Sequence, residues 1–457
     1  MITEINNIKE AILWIEKREI LGMHLGLLRV LALLKLLHHP EKKLAMIHIA
    51  GTNGKGSTVN YLSSLLQQSC SKVGTFTSPH IQNYNERIKI NGETISCNDL
   101  IIWVRKIKKL VDQASPNSAL FSITPFEIIT AIAFDYFYHK KVDVCVIEVG
   151  LGGLLDSTNV IYPILTGITT IGKDHEHILG KTLKEIAFQK AGIIKPKIPL
   201  VTGNISQKAL LVIEQQAIKN KTPIYKFKKD YNITYLGMQT WQECFNFKTK
   251  QITIKAIKTP LIGKYQPENA AMAIKLYYLF CQLKKFPFLE QNVFTGISKT
   301  QIPARMQKLN STPLIILDGA HNVHAIRKLV QTTIKQFSNY RISILFSALE
   351  NKNVVSMLYQ LLKIPKAHIY LTTFNHPNSI ELVQKYLFIA PQRITKVFDW
   401  QDKLKDFLQQ NQTQNCKDLL LITGSLYFAS EVIHFFNILK TSNLIYTTLK
   451  NLKRGQK

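Results

Sequence analysis

A glycine-rich segment carries the clearest chemical signal in the chain, and it reads Gly51-Thr52-Asn53-Gly54-Lys55-Gly56-Ser57-Thr58. Glycines let consecutive backbone N–H groups turn toward phosphate oxygens, and a helix that begins there adds partial positive charge. Lys55 can reach the outer phosphates, and Ser57 can bind Mg²⁺. The spacing departs from the common phosphate loop, because Gly51 lies one residue closer to the lysine and Gly56 separates Lys55 from Ser57. A strand before the segment and a helix after it favour a nucleoside-triphosphate site over a glycine-rich surface turn.

Two further polar residues follow apolar runs. Glu148 lies near the end of the run Val-Asp-Val-Cys-Val-Ile-Glu-Val-Gly, where a carboxylate is costly unless it is paired or binds a metal. Taken alone, Glu148 is more typical of a structural ion pair than of a metal ligand. His175 follows another strand and could complete a Mg²⁺ site with Ser57 and the γ-phosphate, or it could be an ordinary loop histidine.

Other local signals have structural explanations. The segments Thr124-Pro125-Phe126-Glu127 and Thr182-Leu183-Lys184-Glu185 predict helix capping boxes, the first with proline at the first helical position. Lys190 comes late in the second of these helices, before Gly192 and Pro196. A cation suits the negative end of a helix, so the pattern alone gives Lys190 a structural role.

Short apolar runs and helical segments alternate along the chain. Runs typical of buried parallel strands are Leu44–Ala50, Val142–Val149, Ile164–Ile171, Leu314–Leu317, Ile342–Phe346, Ile369–Thr372 and Leu419–Thr423. Helical periodicity lies between them, for example at Thr58–Gln68, Phe126–Tyr138, Thr182–Ile193 and Asn269–Leu283. The alternation predicts doubly wound α/β architecture, with a small antiparallel insertion at Ile224–Ile257.

A domain boundary is expected where a helical region gives way to a new strand, near Ser298 to Pro303. We therefore expect an N-terminal domain, residues 1–298, with a doubly wound sheet like those of phosphate-loop ATPases, and a Rossmann-like α/β domain, residues 299–457. The polar candidates stand at strand ends, and ligands of open α/β sheets bind outside the carboxyl ends of strands.

Composition is ordinary except for charge. Apolar residues make up 46% and charged residues 19%, which excludes disordered, collagenous and coiled-coil classes. The net charge is +28, from 58 Lys and Arg against 30 Asp and Glu, and this excess could attract nucleic acid, a membrane surface or a polyanionic substrate. Only nine of the 58 cations are Arg, however, which favours solvated surface lysines over phosphate-binding Arg clusters.

Several signals indicate a cytoplasmic protein. The six cysteines contain no close pair, so we expect neither a zinc site nor a disulfide framework. The N-terminus lacks the layout of a signal peptide. The apolar stretch Leu25 to Leu37 is interrupted by Arg29 and Lys35, and it predicts an amphipathic helix on the core rather than a helix on a membrane surface.

Together, these segments resemble the folylpolyglutamate synthase and dihydrofolate synthase family of the Mur ligase superfamily. The matching blocks, in family order, are HHPEKKLAMIHIAGTNGKGST, TFTSPHIQNYNERIKING, ITPFEIITAIAFDYF, VCVIEVGLGGLLDSTNVI, KDHEHILGKTLKEIAFQKAGIIKP, QPENAAMAI, IPARMQ, LDGAHNVHAI and LLLITGSLYFASEVI. Enzymes of this family phosphorylate a folate carboxylate with ATP and let the amino group of glutamate attack the acyl phosphate. The resemblance implies the same activity here, in a monomer that needs no nucleic acid and no membrane.

The resemblance also implies roles for individual residues. Two Mg²⁺ ions are expected, the first bound by Ser57, Glu148 and His175 and the second contacted by Ser78. Lys55 and His175 are expected to be catalytic. Lys190 occupies the position of the family's carbamylated lysine, which reverses the structural interpretation given above.

Nucleotide and folate contacts follow in the same way. The resemblance implies ATP contacts for Thr52, Asn53, Gly54, Lys55, Gly56, Ser57, Asn269, Arg305, Asp318 and His321, with ATP between the domains. It implies a folate site at Thr124, Pro125, Phe126, Leu155, Asp156 and Ser157. Leu154 stands where many bifunctional members carry Arg, and Pro125 where an aromatic is common, so the ligation of glutamate to 7,8-dihydropteroate stays open alongside its addition to folates.

Two rival functions remain at this point. A Mur-type ligase of a cell-wall nucleotide precursor would share the phosphate loop, although the TSPH, NERI and KAGI segments argue against it. A nucleic-acid-dependent ATPase would need clustered basic and aromatic residues, whereas the lysines of this chain are dispersed.

Overall fold

The computed structural model describes residues 4–18, 26–115, 117–410 and 417–439. The chain divides into two compact units, the first formed by Met1–Pro260 and Lys264–Gln301 and the second by Leu261–Gly263 and Ile302–Lys457. None of the described helices combines the length and the hydropathy that a membrane span requires. The five described cysteines are free thiols, and Cys416 lies outside the described residues.

The first unit is built on a large mixed sheet. Its strands, β1–β8, are Met46–Ala50, Val73–Phe76, Ile88–Ile90, Glu93–Thr94, Val144–Glu148, Leu165–Ile168, Leu200–Thr202 and Ile224–Lys226. The helices of this unit, α1–α10, are Ile8–Glu16, Leu28–Leu36, Lys55–Leu66, Cys97–Asp112, Pro125–His139, Glu176–Leu179, Leu183–Ala191, Gln207–Lys219, Tyr265–Lys284 and Glu290–Ser298.

Strand order explains where ligands can bind. The order across the sheet is β4-β3-β2-β5-β1-β6-β7-β8, with only β3 and β4 antiparallel to their neighbours. The chain passes from β1 through α3 to β2 on one side and later returns to β6 on the other side, so the direction of winding reverses around β1. Every residue of β1 and β5 is buried, as expected for central parallel strands covered on both faces. The predicted doubly wound α/β class is confirmed.

Helices supply the apolar cover. The α1, α2, α4 and α5 helices bury one face in a common cluster that includes Ile15, Leu34, Val104 and Phe134. The predicted amphipathic helix is confirmed as α2, which buries Val30, Leu33 and Leu34, while Leu25 lies outside the described residues. A second cluster joins α7 and α8 to the sheet.

The antiparallel insertion begins later than expected. It comprises β9–β11 (Tyr231–Gln239, Gln242–Thr249 and Thr253–Thr259), which pair in the order β11-β10-β9. The prediction was wrong for Ile224–Lys226, which pairs in parallel with β7 at the edge of the large sheet. Because α8 connects β7 to this segment, it completes another parallel crossover, which its alternating sequence pattern does not indicate.

The second unit is a separate α/β layer structure. Its strands, β12–β17, are Gln307–Ser311, Leu314–Asp318, Arg341–Phe346, His368–Leu371, Ile394–Lys396 and Asp418–Thr423, in the order β12-β13-β17-β14-β15-β16. Only β12 is antiparallel to its neighbour. The described helices, α11–α15, are Val323–Gln336, Val354–Leu361, Gln384–Leu387, Trp400–Gln410 and 426–439.

A buried carboxylate fixes the start of α5. Glu127 is 1% exposed and accepts hydrogen bonds at 2.8 Å from both the backbone N–H and the hydroxyl of Thr124. The Arg29 guanidinium of α2 donates to both carboxylate oxygens at 3.0 Å. The predicted capping box is therefore confirmed, and it also joins two helices.

Glu127→Ala is expected to lower the free energy of unfolding of the first unit by about 2–4 kcal/mol, because it removes the cap and leaves a mostly buried guanidinium without this acceptor. Urea denaturation followed by tryptophan fluorescence measures the effect. Asp112→Ala is the matched control, since Asp112 makes an exposed i,i+4 ion pair with Lys108 and should cost less than about 1 kcal/mol. Equal losses in the two variants would contradict this account of α5.

Candidate active site

The glycine-rich segment lies between β1 and α3, and two of its glycines cannot be replaced without strain. Gly51 and Gly54 adopt φ values of +147° and +87°. A Cβ on Gly51 would lie 1.9 Å from Thr169 Oγ1, and one on Gly54 would lie 2.5 Å from Asn269 Oδ1. The α3 helix begins at Lys55, so its first N–H groups have no acceptor within the helix, whereas the loop N–H groups of Thr52 and Asn53 donate to the carbonyl and the hydroxyl of Thr170. We call residues 51–57 the phosphate loop.

Two threonines after β6 hold this loop, and sequence reasoning did not identify them. Thr169 Oγ1 and Thr170 Oγ1 donate to the Asn53 carbonyl at 2.7 and 2.9 Å. The backbone N–H of Thr52 donates to the Thr170 carbonyl at 2.8 Å. The signal was present, since two adjacent hydroxyls directly follow a strand that pairs with β1, but only the strand order shows that they meet the loop.

Lys190 lies beneath the phosphate loop. Its side chain is buried, and Nζ donates to the Gly51 carbonyl at 3.1 Å. Burial, together with a smaller effect of the nearby Lys55, lowers the pKa of Lys190 to about 7, although Asp174 and Asp156 partly oppose the shift. A large share of Lys190 is therefore uncharged near neutral pH. The cation that the helix-end pattern predicts is thus partly neutral, and its nitrogen contacts the backbone that follows β1.

Hard oxygen donors surround the end of β5. Glu148 is 4% exposed, and the Ser78 backbone N–H donates to its Oε2 at 3.3 Å. The same Oε2 lies 3.6 Å from the position of a Cβ on Gly56, next to Ser57. The structure thus places Glu148 beside both the phosphate loop and the segment after β2. His175 is the residue directly before α6 and has a φ of +50°, and its Nε2 lies 3.8 Å from Asp174 Oδ1.

These donors suit magnesium better than a transition metal. The described residues contain no group of three or more His, Cys, Asp or Glu side chains arranged to hold a metal ion. Mg²⁺ commonly takes one or two carboxylates and completes its shell with water and substrate phosphates. Glu148 with the Ser57 hydroxyl matches that donor set.

The α9 helix brings Asn269 to the phosphate loop. Its Oδ1 faces Gly54, and its Nδ2 donates to Gln266 Oε1 at 3.2 Å. Gln266 is fully buried and was not identified from the sequence. Its hydrogen bond fixes the orientation of the Asn269 side-chain amide, so that Oδ1 faces the phosphate loop.

The six predicted folate residues lie on two segments that contact each other. Thr124 caps α5, Pro125 is its first residue, and the ring of Phe126 covers Gly150 so closely that a Cβ there would lie 2.5 Å from Cζ. Leu155 is 40% exposed. The buried carboxylate of Asp156 accepts from Leu151 N at 2.7 Å and from Thr158 N at 3.0 Å.

Ser157 is the first residue of the 3₁₀ helix Ser157–Val160, which Asp156 caps. Burial raises the pKa of Asp156, against opposing effects of its hydrogen bonds and of Lys55. We call residues 150–160 the Asp156 loop. Its exposed side presents Leu155, and its buried side is held by Asp156.

The second unit contains the remaining predicted residues. Asp318 ends β13, and its carboxylate accepts from the backbone N–H groups of Met306 and Ala320, each at 2.9 Å. Burial raises the pKa of Asp318, and Arg305 opposes this increase. His321 Nδ1 lies 2.9 Å from the Gly319 carbonyl. Within this unit, Asp318 therefore organises the turn that carries Arg305.

A phosphate loop at the reversal point of a doubly wound sheet, followed by a second α/β unit, is the architecture that the resemblance to Mur-type ligases predicts. Residues 109–277 match the family described as Mur ligase middle domain. Residues 301–435 match the family described as Dihydrofolate synthetase, C-terminal domain.

Comparison with individual relatives identifies the family within the Mur-type ligases. Dihydrofolate synthase/folylpolyglutamate synthase of Bacillus subtilis is 40% identical over 428 residues, which cover 93% of this chain and 98% of the relative. Folylpolyglutamate synthase of Lacticaseibacillus casei is 35% identical over 404 residues, 88% of this chain and 92% of the relative. A solved FPGS-AMPPCP complex superposes with a TM-score of 0.82 at 33% identity, covering 93% of this chain and 98% of the other. The chain belongs to the folylpolyglutamate synthase and dihydrofolate synthase family, which confirms the resemblance.

Gly54→Ala is expected to weaken the binding of the ATP analogue AMPPCP by about 10- to 100-fold, because it strains the backbone and displaces Asn269. Isothermal titration calorimetry measures the affinity. Gly92→Ala is the control, since Gly92 has a similar φ of +85° but no atom within 4 Å of an added Cβ. It should lower stability and leave AMPPCP affinity unchanged, and unchanged affinity in Gly54→Ala would contradict the assignment of the loop.

Proposed function

We propose that this protein is an ATP-dependent ligase that adds L-glutamate to (tetrahydro)folate through an acyl-phosphate intermediate. The observation that carries the proposal is the phosphate loop, held by threonines from β6 and by the Lys190 amine, in a chain of this family. The solved relatives include an FPGS-AMPPCP-folate complex, which supports ATP and folate as ligands. We further propose that residues 1–298 form the ATP-binding domain and residues 299–457 the glutamate-ligase domain.

The chemistry needs a site that tolerates concentrated negative charge. A folate carboxylate oxygen attacks the γ-phosphorus of ATP, and ADP leaves. The amino group of glutamate then attacks the acyl carbon and loses a proton, and phosphate leaves as the amide bond forms. Lys55 and the first N–H groups of α3 hold the β- and γ-phosphates, so that the approaching carboxylate meets less repulsion.

Two Mg²⁺ ions fit this proposal. Ser57, Glu148 and His175 would hold the first, and Ser78 would contact the second. Bound Mg²⁺ supplies neutralising charge for the phosphate oxygens. Support comes from the position of the Glu148 carboxylate beside Ser78 and the phosphate loop.

The remaining contacts are proposed along the same lines. Thr52, Asn53, Gly54, Gly56 and Asn269 would contact the nucleotide from the first unit. Arg305, Asp318 and His321 are the proposed nucleotide contacts of the second unit. The proposed folate site comprises Thr124, Pro125, Phe126, Leu155, Asp156 and Ser157, with Asp156 acting mainly on the shape of its own loop, since its carboxylate already accepts hydrogen bonds there.

Lys190 is proposed to carry a carbamate. Its amine nitrogen would attack the carbon of CO₂ and release a proton, which requires the uncharged form. A pKa of about 7 supplies that form at neutral pH. The resulting anion would help organise the second Mg²⁺.

Carbon-13 bicarbonate should give a protein carbamate signal in the carbon NMR spectrum, and the signal should fall as the pH is lowered through about 7, because the amine becomes protonated. Lys190→Gln should lack the signal. Lys195→Gln should retain it, although burial also lowers the pKa of Lys195. A signal that persists in Lys190→Gln would place the carbamate elsewhere.

A second activity, ligation of glutamate to 7,8-dihydropteroate, is also proposed. It is favoured by the match of residues 301–435 to the dihydrofolate synthetase C-terminal family and by the name of the Bacillus subtilis relative. The altered residues Leu154 and Pro125 flank the proposed folate site and bear on this activity.

Incorporation of labelled glutamate, measured in parallel with tetrahydrofolate and with dihydropteroate, tests both activities. We expect incorporation with tetrahydrofolate, together with release of ADP, and loss of both in Lys55→Ala, because the β- and γ-phosphates lose their cation. Lys208→Ala, which removes an exposed lysine on α8, is the control and should behave as wild type. Near-normal turnover in Lys55→Ala would contradict the proposed function, and incorporation with tetrahydrofolate alone would exclude the second activity.

A cytoplasmic monomer completes the proposal. Free thiols at the five described cysteines are what a reducing compartment maintains. The monomeric state stays a prediction from the resemblance.

A further inference from the structure

A buried chain of hydrogen bonds links β1 to the Asp156 loop. His48 lies in β1 and is fully buried, and its Nε2 lies 2.8 Å from Thr158 Oγ1. The Thr158 hydroxyl donates to Asp156 Oδ1, and the other carboxylate oxygen accepts from Leu151 N. Strand and loop are 110 residues apart in sequence, so only the fold brings them together.

The number of hydrogens that each group carries decides which group donates in each of these hydrogen bonds. Burial lowers the pKa of His48 to about 3, so the imidazole is neutral with one donor and one acceptor nitrogen. The single hydroxyl hydrogen of Thr158 is given to Asp156. His48 Nε2 must therefore donate to Thr158, which leaves Nδ1 as the acceptor.

A histidine at position 48 lowers the free energy of unfolding. Its Nδ1 has no hydrogen-bond partner among the described residues, and a buried polar atom without a partner destabilises the fold. An apolar side chain in β1 would avoid that cost. The hydrogen bond between the imidazole and Thr158 offsets this cost.

The loop at the far end of the chain faces two parts of the proposed site. Its exposed Leu155 belongs to the proposed folate site, and Gly150 lies against the ring of Phe126. The charge of Asp156 also acts on Lys55 and Lys190. A shift of the loop would move Leu155 and Gly150 directly, whereas Asp156 acts on Lys55 and Lys190 only through its charge.

We propose that His48 and Thr158 are positioning residues that anchor the Asp156 loop to the strand preceding the phosphate loop, and that this anchor sets the affinity for folate. The inference rests on the proposed function for its ligand. The anchor itself is a property of the structure and can be measured without turnover.

Thr158→Val removes the hydroxyl while preserving the shape of the side chain, and Thr158→Ser keeps the hydroxyl. We expect Thr158→Val to raise the KM for folate by about tenfold, the scale of one lost hydrogen bond to a charged group, with the KM for ATP unchanged. Hydrogen–deuterium exchange of the amides in the Asp156 loop should become faster in the same variant. Thr158→Ser should match wild type in both measurements, and His48→Leu should repeat the Thr158→Val pattern from the other end.

Thr202→Val is the matched control. Thr202 is a buried threonine on β7 whose Oγ1 has no hydrogen-bond partner among the described residues, so this variant should leave both KM values and the exchange unchanged. The proposal is overturned if Thr158→Val keeps the wild-type folate KM and exchange, if Thr158→Ser loses as much as Thr158→Val, or if the KM values for folate and ATP rise together. Absence of folate-dependent turnover in wild type would contradict the proposed function instead, and exchange in Thr158→Val would then decide the anchoring on its own.

Discussion

The hydrogen bond from the buried Lys190 side chain to the Gly51 carbonyl joins the end of α7 to the end of β1, and the phosphate loop and the Asp156 loop both contact this helix end. The end of α7 also holds the Asp156 loop, because Leu154 N donates to the Gln189 carbonyl and Asn159 Nδ2 to the Gly192 carbonyl. Water-exposed lysines carry a full charge, whereas burial and the nearby Lys55 lower the pKa of Lys190 to about 7, so that a large share of it is neutral. One helix end therefore supports the phosphate loop and the proposed folate loop together.

The parallel strands place further polar groups at the same edge of the sheet as this junction. The carboxyl ends of β2, β5, β1 and β6 lie at one edge of the sheet, and each contributes a polar group there. Ser78 follows β2, Glu148 ends β5, the phosphate loop follows β1, and Thr169 follows β6. In open α/β sheets a ligand binds where the direction of winding reverses, and here the reversal falls at β1.

The sequence predicted the features that depend on local chemistry. Glycines, a lysine and a serine between an apolar run and a helix identified the phosphate loop, and Thr124 with Glu127 identified the start of α5. Features that depend on distant partners were missed. Thr169 and Thr170 contact the phosphate loop only because β6 pairs with β1, and nothing near His48 points to Thr158. The local pattern alone gives Lys190 a helix-end role, and it was the resemblance to the family that assigned Lys190 to the site. Ile224–Lys226 was assigned to the wrong sheet because an edge strand shows the same alternation in a parallel sheet as in an antiparallel one.

The central claim is that the phosphate loop serves transfer of the γ-phosphoryl group to a carboxylate, rather than hydrolysis or binding alone. Turnover of folate labelled with oxygen-18 in its side-chain carboxylate tests it directly, with mass spectrometry of the released phosphate. An acyl-phosphate route predicts that one labelled oxygen moves from the carboxylate into phosphate, since the carboxylate oxygen that attacked phosphorus leaves with it. Phosphate that carries no label from folate, while the amide product forms, would contradict the account.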